Sequence, residues 1–161
     1  MRQRPRRDFL VSGLLAVLLT KAEARAGMTR TLPEWTIPDD MATVVAREGL
    51  WETDRWNPIH LVILGDTIYH GRPIPLAWQV ELSPYGAAFE DVNRRILTRT
   101  EVRPEAYAWS EVVREAIGRE APEYLAQLHT DDTEAATCVI WVESEAACRV
   151  LIRTIWTLLY E

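Results

Sequence analysis

The sequence predicts an α+β domain, an antiparallel sheet of about four strands with helices packed on it. Three observations carry this. Strand-like apolar runs gather early, from Leu61 to His70 and from Leu76 to Leu82. Stripes of helical period fill most of the chain from Phe89 onward. A last apolar run, Thr137 to Val142, stands between two such stripes.

In chain order, residues 1–26 have the make-up of an export leader. Arg2, Arg4, Arg6 and Arg7 make a basic start, and Ala24-Arg25-Ala26 offers a small-x-small cleavage site. Leu10 to Leu19 is a modest apolar core diluted by Ser12 and Gly13, far shorter than the roughly 20 residues a membrane span needs. No integral membrane span is expected. Arg6-Arg7-Asp8-Phe9-Leu10 resembles the twin-arginine export motif, which implies a periplasmic mature protein. The competing reading starts translation at Met28 and leaves the protein in the cytoplasm.

Residues 27–58 read as an N-terminal arm and a short helix. Trp35 pins the arm, and Asp39 or Asp40 caps a helix through Glu48 with Met41, Val44, Val45 and Ala46 inward. The main domain is expected over 59–161. Leu61 to His70 reads as a hairpin turning at Gly65-Asp66, with glycine at the strained first position. Leu76, Trp78, Val80 and Leu82 alternate with Ala77, Gln79 and Glu81, a half-buried strand. Ser83-Pro84 opens a helix whose inner stripe is Phe89, Val92 and Ile96; it stops before Arg103-Pro104, since the residue preceding proline avoids helical geometry.

Trp109, Val112, Val113, Ala116 and Ile117 form one apolar stripe, with Glu111, Arg114, Glu115 and Arg119 opposite. Gly118 suits a left-handed C-terminal position, and Pro122 the first turn of a short helix to Leu128. Cys138, Ile140 and Val142 alternate with the equally apolar Val139 and Trp141. This strand is expected to be central and covered on both faces. The final helix, Ser144 to Tyr160, buries Cys148, Leu151, Ile152, Ile155 and Leu159.

Between Trp78 and Leu159 the order is Tyr107-Ala108-Trp109 opening a helix, Pro122-Glu123 opening a second, Asp132-Thr133-Glu134-Ala135, an apolar strand and a final helix. That order resembles the Immunity protein 51 family of bacterial polymorphic-toxin systems. The resemblance implies a non-enzymatic protein that needs no cofactor and neutralises a cognate protein toxin by binding it. It marks Tyr107, Trp109, Asp132 and Glu134 as signature positions. Ala108 stands where the family has an aspartate helix cap, an expected loss of roughly 1 kcal/mol.

Charge fits a binder of proteins. The chain has 18 basic and 24 acidic residues, net -6. Residues 1–26 hold six basic and two acidic residues, so the rest keeps 12 and 22, net -10. Every cation left is an arginine, because Lys21 is the sole lysine. A body this acidic argues against nucleic acid or an anionic membrane as partner and is compatible with a basic protein.

Residue chemistry offers one rival. His129 beside Asp131, Asp132 and Glu134 has the residue types of general-base catalysis or a weak cation site, while a polar turn before a strand explains the same residues without chemistry. A small exported hydrolase using His129 with Asp131 or Asp132 is therefore the enzymatic alternative, and an envelope scaffold or binding module is the third. With a turn at Gly65-Asp66, His60 and His70 fall on opposite faces, which separates them as metal ligands. Cys138 and Cys148 read as buried core thiols, with a disulfide allowed in an oxidising compartment. Of seven tryptophans, Trp78, Trp109 and Trp141 belong to apolar faces, and Trp35, Trp51 and Trp56 lie outside the periodic elements.

Overall fold

Four strands form one antiparallel sheet whose spatial order follows the sequence: β1 (Leu50–Trp56), β2 (Ile59–Tyr69), β3 (Arg72–Leu82) and β4 (Cys138–Val142). The computed structural model describes residues 30–100 and 105–161, within which Leu32–Glu161 is one compact unit. The expected leader, with Arg6, Arg7, Phe9 and Leu10, lies outside the described residues. Helices α1 (Met41–Glu48), α2 (Glu90–Thr100), α3 (Ala106–Glu120) and α4 (Glu145–Tyr160) complete the α+β fold. Short 3-10 turns occupy Ala87–Phe89 and Pro122–Gln127. No helix among the described residues is long and apolar enough to cross a membrane.

The hairpin turns later than the sequence predicts. Gly65 pairs with Leu76 inside the β2–β3 ladder, and the chain reverses at His70-Gly71, where φ is 48° and 78°. Two consecutive left-handed residues make the kind of turn whose twist matches that of the strands, and glycine takes the second position at no steric cost. What Gly65 does is admit a helix. A Cβ there would stand 2.7 Å from Val45 Cγ1 of α1. Asp66 takes φ 50° at the one skipped pair of the register, opposite Pro75, which has no N–H to donate. Beyond that irregularity the faces exchange: Tyr69 and Ile74 pack with Leu64, Ala77 and Trp141. By simple alternation they would have joined Ile63 and Leu76 on the other side.

Two further expectations change. The sheet begins at Leu50, ahead of the expected boundary at residue 59, so β1 belongs to the domain rather than to the arm. And β4 is an edge strand, although every residue in it is buried. The segment before it makes that possible. His129 and Trp141 exchange backbone hydrogen bonds of 2.9 and 3.0 Å as an isolated bridge. The Thr133 hydroxyl donates to the Val139 carbonyl at 2.9 Å and accepts from the Val139 N–H at 3.1 Å. One side chain thereby does the pairing of an absent strand, and the outward groups of β4 are satisfied.

The four helices among the described residues all cover a single face of the sheet. Ile59, Leu61, Ile63, Trp78, Val80, Leu82, Cys138, Ile140 and Val142 meet Val45, Val92, Ile96, Val113, Ile117, Leu151 and Ile155 in one core. Asp40 caps α1 through the Thr43 N–H, and Ser144 caps α4 through the Ala147 N–H. Helix α3 starts at Ala106 with Glu105 in the cap position, so Ala108 lies in the first turn and is not a failed cap. Gly118 is an ordinary residue of α3, which runs on to Glu120; the Leu125 methyl stands 3.5 Å from where its Cβ would be. The arm is held by aromatics. Trp35 stacks on Trp56 at 4.9 Å and donates its indole N–H to Glu145, while the Trp56 indole donates to the Pro33 carbonyl.

Candidate functional site

With the helices on one side, the other side of the sheet is left to Glu52 and Asp54 of β1, His60, Val62 and Leu64 of β2, Ala77, Gln79 and Glu81 of β3, and Val139 and Trp141 of β4. The small apolar cluster on this side, Ile74, Ala77 and Trp141 with Leu64 and Tyr69, contains no helical residue. Val62, Ala77, Val139 and Trp141 of this side are buried, and Glu52 and Asp54 at its β1 end are exposed.

At its β4 end lies an aromatic-backed polar network. The His129 ring stacks on Trp141 at 4.0 Å, and the Tyr69 ring closes on it at 4.3 Å. His129 Nε2 is 2.9 Å from Glu143 Oε1, and both terminal nitrogens of Arg72 donate to the same carboxylate, one at 2.7 Å. The Arg72 hydrogen bond, opposed by burial and aided by His129, holds the Glu143 carboxyl down at about 2. The Tyr69 hydroxyl donates to Asp131 at 2.7 Å, and that bond raises its pKa.

The β1 end is acidic. His60 Nδ1 sits 2.7 Å from Asp54 Oδ1, with Glu52 at 3.5 Å from its other nitrogen. Burial works against a charged His60, but the Asp54 hydrogen bond and the charges of Asp54, Glu81 and Glu52 outweigh it and raise its pKa. Gln79 donates to Glu81 across 2.7 Å, leaving that carboxylate on the same face.

The structure separates the residues that the sequence groups. His129 bonds to Glu143, not to Asp131 or Asp132; Asp131 is engaged by Tyr69, and Asp132 is exposed. Glu134 is exposed in a tight turn, its backbone exchanging hydrogen bonds with Thr137. Trp109 is fully buried, edge-to-face on Phe89 and donating to Asn93 Oδ1 at 2.7 Å, so it holds the fold. Tyr107 is 54% exposed on α3. His60 lies in the acidic group and His70 in the turn against the Tyr69 ring. Cys138 and Cys148 are free and buried; burial pushes the Cys138 thiol up to about 12 and raises Cys148 as well, which makes both poor nucleophiles.

Sequence reasoning missed Tyr69, Arg72 and Glu143. Arg72 and Glu143 lie 71 positions apart, and no spacing rule links them. Among the described residues no cluster of three His, Cys, Asp or Glu side chains is arranged to hold a metal ion. Tyr69, Arg72 and His129 each meet a carboxylate of the network, through Asp131, Glu143 and Glu143 in turn. No protein-family model matches the chain, and no curated protein or solved structure is significantly similar to it.

Proposed function

We propose that this protein is a stoichiometric binder of a basic protein, of the immunity class that its Asp132-Thr133-Glu134-Ala135 signature and element order resemble, and that it neutralises a cognate bacterial toxin by occlusion. The observation that carries the reading is the helix-free face, on which Glu52, Asp54 and Glu81 surround His60. Clustered carboxylates accelerate encounter with a basic surface. The excess of acidic over basic residues acts in the same direction.

The test is co-expression with any large open reading frame adjacent to this gene, scoring its toxicity, survival and a stable co-purifying complex. Reversing charge with Glu52→Lys and Glu81→Lys should slow association, and added salt should do the same to the unaltered protein. A poisoned host that fares no better with the protein present refutes the proposal. So does turnover of a substrate by the purified protein that His129→Ala abolishes.

A further inference from the structure

The two edges of the sheet are finished differently. The outward groups of β4 are taken up by His129 and Thr133. At β1 the sheet ends in a strand that is regular from Leu50 to Thr53 and bulged between Thr53 and Trp56. Among the described residues, no backbone group outside the β1–β2 ladder pairs with Leu50 to Thr53. In an antiparallel ladder alternate residues direct both N–H and C=O away from the neighbouring strand, so β1 offers a row of unmet donors and acceptors.

From this we infer that β1 takes up an extended segment of the basic partner as a fifth strand, with Lys or Arg at every second position. The inference rests on reading the chain as a binder of a basic protein. The spacing follows from side-chain geometry. Glu52 and Asp54, with 60% and 81% of their side chains exposed, are two residues apart and both reach His60, so they stand on one face. Glu52 lies in the regular part of β1, where a cation of the added strand meets it in a cross-strand pair; Asp54 lies in the bulge between Thr53 and Trp56, its carbonyl taken by the Asn57 N–H, and its exposed carboxylate is reached by the next cation along that face. The intervening residues point to the helical side, toward half-buried Trp51 and Thr53, and suit β-branched or aromatic side chains.

A second copy of this chain fits the edge poorly. Antiparallel self-pairing centred on Thr53 sets Glu52 of each copy against Asp54 of the other, and parallel in-register pairing sets like carboxylates side by side. The same charges that suit a cationic strand exclude this one.

The test uses the full chain and three end-blocked nine-residue peptides. The first alternates lysine with valine; the second is the same peptide N-methylated at every position, which keeps its charge and removes its backbone donors. The third has the same composition with its lysines contiguous. The alternating peptide should slow amide exchange within Leu50 to Thr53. The other two peptides should bind about ten-fold more weakly, and so should the alternating one to a Glu52→Gln/Asp54→Asn variant. Equal binding of the N-methylated peptide, protection elsewhere on the sheet, a dimer formed without peptide, or no binding at all would each overturn the inference. The two proposals fail separately. Lost survival on co-expression sinks the toxin reading, whereas a protecting chain whose β1 amides exchange unchanged in the complex sinks strand addition alone.

Discussion

Thr133→Val isolates the device that lets β4 be both buried and an edge. Valine keeps the shape of threonine and removes its hydroxyl, so the packing of a residue that is 6% exposed is nearly preserved. Both hydrogen bonds to Val139 disappear, leaving an N–H and a C=O of a buried strand without a partner. Each unmet buried group costs about 1–3 kcal/mol, and the two share one site, so the expected loss is about 2–4 kcal/mol. For a domain of this size that lowers Tm by roughly 3–5 °C for each kcal/mol. Thr133→Ser keeps the hydroxyl and should lose only about 1 kcal/mol, for one methyl group. Urea unfolding followed by tryptophan fluorescence measures both variants, and the Val139 amide should exchange faster in the valine variant alone. If valine and serine prove equally stable, the hydroxyl is not what closes this edge.

Three further expectations concern the neighbouring elements. Gly65→Ala places a methyl 2.7 Å from Val45 Cγ1 and should destabilise by about 1–3 kcal/mol, with Val45→Ala restoring part of the loss; a neutral Gly65→Ala in thermal melts would contradict the close approach of α1 to β2. Glu143 is held near 2 against an ordinary 4.5, so its pairing stabilises the fold above about pH 4.5 and that contribution disappears as pH falls toward 2. Arg72→Met should flatten this part of the acid-unfolding curve, and an unchanged curve would remove Arg72 as the cause. His60 has its pKa raised above 6.5, so its contribution is complete below 6.5 and is lost as pH rises through the folded value. An NMR titration should find the His60 ring above 6.5, and lower in Asp54→Asn; no change in that variant would dissociate the two groups.

Most of the fold was legible because its signals are local. The period-3.6 stripe of Phe89, Val92 and Ile96, the start of α4 near Ser144 and the alternation of Trp78, Val80 and Leu82 each follow from neighbours within one or two turns or a few strand residues. Where reading failed, a local signal had a nonlocal cause. Gly65-Asp66 looks like a turn dipeptide, yet Gly65 makes room for Val45, and the reversal falls at His70-Gly71. The strand β1 escaped because Glu52, Asp54 and Arg55 blur its alternation at the exposed edge of the sheet. The apolar run of β4 announced burial on both faces and was misread as a central position, because a hydroxyl replacing a strand leaves no pattern in composition.

The candidate face divides in the same way. The acidity of the chain and the residue types His129, Asp131 and Trp141 can be read from the letters alone. That His129 answers to Glu143 and Arg72, and that Glu52, Asp54 and Glu81 gather round His60, follows only from sheet register and from the face exchange at Asp66. Periodicity fixes which residues an element buries, since burial is decided over a few ångströms along one chain segment. Which side chains then meet across strands is decided by pairing between distant segments, as Tyr69 and Ile74 show by packing with Ala77 and Trp141.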